Sequence, residues 1–549
     1  MRKLLLCLLT GLVAGSLFAQ DESVLRAAMY LSGASSEEEI PTDWIERLED
    51  VRIIQINSPH LRPGVLLTAY QVACIQDYRA TSGDILSYGE LALVDGFSLE
   101  CVEALKPFLS LYSDRMPGQA DTARVDATAL VRTTLKTVGA KAKVSGSHWR
   151  AGGAWRGEDG TAYAEGTWRR NRVLAGDFHT RWGQGLAAWT GFTMESLSTV
   201  DAFIKRSTGL SPVWSYSSES VHRGVAYEYA GIHMGATAFA GLGEDFGAHA
   251  DYLWRNGQVG VTALFTKGNF TGSLDGKYSL RGTDFVGETA WSNRSVTGKI
   301  AVRGKMGEAC KWTLQGRWIP SRFSGKKNGE YGMAAGFTYR QRDRLFLSLT
   351  ADAALLPIPG TDPHRFQLRI YGIAQWTLSP AWLLDLRLTE RFRNYEAPRT
   401  DFRADVKFTS GPWLSVIRAE GDYCGGWGFL TYLEGGYKTE KSALYIRLTG
   451  FYIDQWAARI YCYERDAAGT FSVPAYNGRG CVASLVGSCK LRLGRRLILK
   501  AHLRAGCQFK AGQKPAPTLN LQLQGDDSIF CRKCGQQASS TAYRVNSTP

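Results

Sequence analysis

The sequence predicts a mainly β protein: a large antiparallel transmembrane β-barrel preceded by a small all-α domain. Three observations carry that expectation. After Thr122 the hydrophobic period changes from about 3.6 residues to about 2, and it keeps that value for roughly 400 residues. Each alternating run is about 9–13 residues long and bounded by Gly, Asn, Asp or Pro, the length of a tilted membrane-crossing strand. Beyond the N-terminal segment no run approaches about 18 uninterrupted apolar residues, which excludes a membrane-spanning helix. A soluble β-sandwich also alternates. So many consecutive runs, with aromatics near their ends, fit a closed barrel instead, because only closure satisfies every backbone group of a sheet in lipid.

In chain order, residues 1–19 come first. MRKLLLCLLTGLVAGSLFAQ joins a basic start (Arg2, Lys3) to an apolar run and a cut after Ala19, the pattern of a secretory signal. Cys7 lies inside the apolar run, which argues against a lipoprotein signal. Residues 20–118 are the expected helical domain, placed in the periplasm. SSEEEIPTDWIERLEDV opens with polar caps and acids, then sets Trp44, Ile45 and Leu48 at helical spacing. In VLLTAYQVACIQDYRATSG, Ala69, Val72, Ile75 and Tyr78 share one stripe and Gly83 is the terminator. SYGELALV and SLECVEALKPFLSLY complete about four or five short helices, and RMPGQADT (Arg115 to Thr122) is the linker out.

Residues 119–530 are the expected barrel. WLLDLRLTERF alternates Trp382, Leu384, Leu386 and Leu388 with Leu383, Asp385, Arg387 and Thr389. FRADVKF sets Phe402, Ala404, Val406 and Phe408 against Arg403, Asp405 and Lys407. LILKAHLRA places Lys500, His502 and Arg504 on its polar face, as KWTLQGRW, RFQLRIYG and ALYIRLTG do Arg317, Arg369 and Arg447. The runs amount to about 20 strands, with an even number expected. TLNLQLQGDDSIF closes the series, and residues 531–549 form a polar tail. The CRKC of that tail, Cys531 to Cys534, lacks the second pair that a structural zinc site needs, and no cofactor or metal is expected.

Charge divides the chain in the same way. Residues 21–120 carry a net −9 and residues 121–549 a net +21. A basic body attracts anionic solutes, lipid phosphates or nucleic acid, and charge alone does not choose among them. The polar face of the strands becomes the lumen, so Arg317, Arg369, Arg387, Arg403, Lys407, Arg447, Lys500 and Arg504 are expected to face inward. There they either set an anion preference, as charged rings do in pores, or pair with Asp385 and Asp405 to support a filled barrel.

INSPHL…AYQVACIQDYRATSGDILSYGELALVDGFSLECVEALKPF is similar to the tandem helix-hairpin-helix pattern of competence-type (ComEA-like) DNA-binding proteins. With GDFHTRWGQGLAAWTGF (Gly176 to Phe192), IKRSTGLSPVWSYSSESVHRGVAY and ARIYCYERDAAGTFSVPAYNGRG, the chain resembles a family of outer-membrane proteins from Bacteroides-group bacteria. These join a helix-hairpin-helix head to a large barrel. The resemblance implies an outer-membrane location.

The hairpin that would contact phosphate or a partner comprises Gly96, Phe97, Ser98 and Lys106. A working phosphate-binding turn places two glycines where backbone meets phosphate. Here Ser98 stands in the second glycine's place, and Asp95, Glu100 and Glu103 crowd the turn. Ser98 is instead suited to capping the helix. An acidic head works against DNA binding, which depends on basic side chains. In GDFHTRWGQGL, Gly176, Asp177, Gly183, Gln184 and Gly185 mark turns or bulges near a rim, and Trp182 and Trp189 suit an interfacial girdle. The segment after it, through Arg223, folds either inward as a plug or outward as a surface loop. Asp177 and His179 share a face, but no nucleophile motif accompanies them, so an enzyme is not expected. The expected role is an outer-membrane channel or scaffold whose head docks a periplasmic or surface protein or occludes the pore. DNA binding or uptake through the head is the alternative.

Overall fold

The computed structural model describes residues 22–112, 124–191, 197–292, 295–323, 329–356, 365–439, 441–493 and 497–530, apart from 41, 50, 52, 343, 468, 469 and 471. The signal sequence, the linker Arg115 to Thr122 and the CRKC tail lie outside the described residues.

The wall is a closed antiparallel barrel of 24 strands, not the roughly 20 expected. The difference has two physical sources. Tight turns such as Lys267–Gly268 and Arg281–Gly282, with both residues at positive φ, join strands without a break in the alternation. Strand Trp149–Arg156 is short and holds Ala151, Gly152, Gly153 and Ala154 in a row, so it carries little periodic signal. Closure comes from the last strand, Ala516–Phe530, pairing with the first, Arg124–Thr134.

Alternation sorts the side chains as the period of 2 requires. In Trp427–Lys438, Trp427, Phe429, Leu433 and Tyr437 face out while Leu430, Tyr432 and Glu434 are buried inside. Outward aromatics gather in two girdles, Trp382 with Phe408 and Trp413 with Tyr437 at one end, Tyr423 with Trp427 and Phe366 with Phe392 at the other. No helix among the described residues is long and apolar enough to cross a membrane.

The two mouths differ. At the mouth where the first strand begins and the last one ends, every connection between wall strands is two or three residues long. The opposite mouth carries the long connections, 182–221, 320–329, 357–364 and 454–477. This short-turn and long-loop asymmetry is the usual one for barrels of the outer-membrane type.

Among the described residues the head holds five α-helices: α1 (Glu22–Ser32), α2 (Thr42–Glu49), α3 (Ala69–Ser82), α4 (Tyr88–Leu91) and α5 (Leu99–Leu105). Of these, α1 is not among the expected helices, although its buried Val24, Leu25, Ala28 and Leu31 follow helical spacing. Thr68 and Gln71 form a capping box at the start of α3, and Gly83 ends it at φ +87°. Ile54–Gln55 pairs in parallel with Leu109–Ser110, tying together the two ends of the stretch that holds the hairpins. Its core (Leu66, Leu67, Ile75, Ile85, Leu91, Val102 among others) reaches Leu253 of the wall.

Candidate functional site

Three segments fill the lumen: the head and two long connections, both folded inward. Segment 182–221 begins where Gly176, at φ +105°, lets its strand leave one neighbour; a Cβ there would lie 2.1 Å from the Ala162 carbonyl oxygen. Asp177 secures the departure, accepting from the Ala162 N–H at 2.8 Å and the Arg223 guanidinium at 2.7 Å. The next turn is built on a wall carboxylate. Glu288 accepts from the backbone N–H groups of Gln184 (2.6 Å), Leu186 (3.0 Å) and Ala187 (3.1 Å), a nest gripping an anion. Gly183 and Gly185 supply the positive φ this requires, and a side chain at Gly183 would strike the Glu288 carboxylate. Gln184 completes the turn by exchanging hydrogen bonds with the Lys205 backbone.

Trp182 and Trp189 are therefore not girdle residues. Trp182 is 2 % exposed and stacks on His249 at 5.1 Å inside the lumen, and the Lys205 ammonium lies 5.0 Å from the Trp189 ring. Outward placement would waste the turn that Glu288 binds. Further along, Thr313, Gln315, Ser348 and Thr350 of the wall donate to the carbonyls of Val200, Phe203, Ser198 and Leu197. Segment 454–477 also turns in, where Arg447 donates to the Tyr463 carbonyl and Arg504 pairs with Glu464 and Asp466.

The head seats at the short-turn mouth. Its hairpin face, the one that would meet phosphate, points at the barrel. Asp95 lies 3.5 Å from Arg255, and Glu100 pairs with Lys311 at 2.5 Å and Arg340 at 3.9 Å. The Tyr70 hydroxyl donates to the Arg255 carbonyl and Arg206 donates to the Leu66 carbonyl, so both hairpins are engaged. Gly96 sits at φ +82° against the Tyr70 ring and its carbonyl accepts from Gln71. Phe97 packs on the head's core, Ser98 caps α5 by accepting from the Cys101 N–H, and Lys106 lies over the Tyr88 ring. Each of the four expected contact residues thus has a structural role within the head.

Between α1 and α2 the chain reaches deepest, through a 3-10 turn at Glu37–Glu39. Glu38 is held by Arg403 at 2.7 Å and Arg418 at 2.6 Å, Glu39 by Arg387 at 2.6 Å, and Glu37 lies 3.9 Å from Arg465. Wall carboxylates fix these cations from behind: Asp405 binds Arg403 and Arg418, Asp385 binds Arg387, and Glu434 binds Arg465. Arg418 is 1 % exposed and Asp405 and Asp385 are fully buried. Burial pushes the Glu38 carboxyl up, but Arg403 and Arg418 outweigh it and hold the group well below its ordinary value. Asp201 of the inward loop, between Lys311 and Arg303, is likewise held low against its burial.

The sequence-selected lumen cations all line the interior. Arg317 pairs with Glu330 and Asp352, Arg447 with Glu434, Lys500 with Asp526, and Lys407 lies 3.9 Å from Asp385. Arg369 has no ion pair among the described residues and borders a remaining cavity of about 1190 Å³ between head, inward loop and wall. Sequence reasoning missed the head's acids Glu37–Glu39 as the partners of Arg387 and Arg403, and of Arg418 and Arg465 beside them. Their signal was the opposite net charge of head and body. The eight described cysteines are all free, and no described cluster of His, Cys, Asp or Glu is placed to hold a metal.

No protein-family model and no curated protein matches the chain. Among solved structures it is similar to the E. coli P pilus tip assembly intermediate PapC-PapD-PapK-PapG, at 8 % identity and TM-score 0.45, covering 76 % of this chain and 64 % of that one. The chain thus spans under two thirds of that neighbour's length. The outer membrane protein opdK from Pseudomonas aeruginosa matches at 7 % identity and TM-score 0.31, over 75 % of this chain and 100 % of its own. The FrpB iron transporter from Neisseria meningitidis matches at 8 % identity and TM-score 0.36, over 75 % and 82 %.

Proposed function

We propose that the protein is an outer-membrane β-barrel channel or scaffold closed by its own N-terminal head, which sits at the periplasmic mouth. The seating of Glu37–Glu39 among Arg387, Arg403, Arg418 and Arg465 carries this reading. A head tethered at one end and gripped by charge is a stopper that a partner can withdraw. The short-turn mouth is the periplasmic one in barrels of this type. The resemblance to Bacteroides-group barrels with a hairpin head supports the same pairing of parts. It does not by itself favour DNA binding, because the hairpin face is turned to the barrel and its acids meet Arg255 and Lys311. In planar bilayers the full chain is expected to conduct weakly and a variant lacking residues 22–112 to conduct several-fold more. Equal conductance of the two sinks the stopper reading. Duplex DNA bound at low salt by the seated, full-length protein would restore the DNA reading.

A further inference from the structure

The seat of the acidic turn is a built binding site, and its occupant shows what it recognises. Six cations converge there: Arg387, Arg403, Lys407, Arg418, Arg447 and Arg465. The wall supplies Asp385, Asp405, Glu420 and Glu434, two formal negative charges short of balance. With the head withdrawn, the cluster faces the lumen with an unmet demand for anions. The guanidiniums would stay where they are, because Asp405, Asp385 and Glu434 hold them from the wall side, and Arg418 and Arg447 also lie over the Tyr432 ring, 5.0 and 4.1 Å from its centroid. Preorganised forks of this kind bind carboxylates in a fixed geometry.

Recognition extends beyond charge. Gln375 donates to the Ser35 carbonyl at 3.2 Å, and Thr199 of the inward loop donates to the Gly33 carbonyl at 2.8 Å. The site therefore reads a main chain next to side-chain carboxylates. Resting on the stopper reading above, we propose that the turn Glu37–Glu39 is an internal mimic, and that the open barrel binds an extended acidic peptide segment with adjacent carboxylates at Arg387, Arg403, Arg418 and Arg465. Seating of the head and capture of such a segment then compete for one set of cations, so each displaces the other.

The test uses the full chain in nanodiscs, a fluorescein-labelled pentaglutamate peptide, and E37Q/E38Q/E39Q, which weakens the internal occupant without touching the wall. A short bis-maleimide bridge between D95C and R255C reports independently whether the head is seated. The variant is expected to lose the bridge and to bind the peptide at least tenfold more tightly than wild type. Adding R403Q or, outside the wall, R465Q is expected to remove that gain. A lost bridge without tighter peptide binding overturns the acidic site and leaves the stopper standing. A retained bridge without tighter binding overturns both. Tricarballylate that competes as well as the peptide overturns main-chain recognition and assigns the site to small polycarboxylates.

Discussion

The inward loop 182–221 and the acidic turn Glu37–Glu39 occupy the same lumen, yet the wall meets them with different chemistry. The loop's backbone is received by neutral donors, Thr313, Gln315, Ser348 and Thr350, and by one carboxylate, Glu288, on a nest of N–H groups. The turn is received by guanidiniums. Both ends of the loop continue into wall strands, whereas the turn belongs to a domain joined to the wall at one end. Hydrogen bonds to backbone carbonyls do not titrate, but ion pairs do. The loop has its own ion-paired acid, Asp201, between Arg303 and Lys311, but most of its anchorage is uncharged; on the proposed stopper reading, that separates a fixed constriction from a removable one.

The largest expected break in that comparison comes from R403Q/R418Q. It leaves the fully buried Asp405, and the partly buried Glu38, without their two arginine partners, and losing one partner of a buried pair costs about 3–5 kcal/mol. Head protection from limited proteolysis should collapse while the inward loop stays protected.

Acid comes next. Glu38 has its folded value depressed, so its contribution is complete above its ordinary 4.5 and is lost as pH falls through the lower folded value. Asp201, depressed from 3.8, behaves in the same sense. Conductance of the full chain should therefore stay low from neutral pH down to about 4.5 and rise only below it. A rise above pH 6 would point to some other group as the latch.

E288Q sharpens the comparison from the other side. Losing the charge on the nest should cost about 1–3 kcal/mol. Hydrogen exchange should quicken at Gln184, Leu186 and Ala187, with no change in head protection. The smallest effect is that of S98A, which removes the α5 cap for about 1 kcal/mol of head stability and leaves the barrel's melting untouched.

Sequence reasoning reached what depends on local period. The inward facing of Arg387, Arg403 and Lys407 follows from alternation, as does the closing strand, because each needs only its neighbours in the chain. Strand number was lost where turns such as Arg281–Gly282 keep the alternation running and where the Ala- and Gly-rich strand Trp149–Arg156 hardly alternates. Trp182 was misplaced because an aromatic near a strand end reads alike whether the chain turns toward lipid or lumen. What decided it was Glu288, about a hundred residues away. The partners of the lumen cations were hidden for the same reason: Glu38 and Arg418 are 380 residues apart, and charge balance between regions gives no pairing.

The seam between Arg124–Thr134 and Ala516–Phe530 sets an order of events. Thr128 and Asp526 bond across 398 residues, so the wall cannot become a ring until nearly all of it has been made and delivered. The head is made before any wall strand, and by then it is long since complete. It is therefore present while the cylinder is still an open sheet whose arginines are only partly balanced by Asp385, Asp405 and Glu434. Its acids are available to meet Arg387, Arg403 and Arg418, which three consecutive strands already bring side by side, before the edges meet. On the stopper reading, the domain that closes the barrel is also in place to serve as a former around which the barrel is rolled.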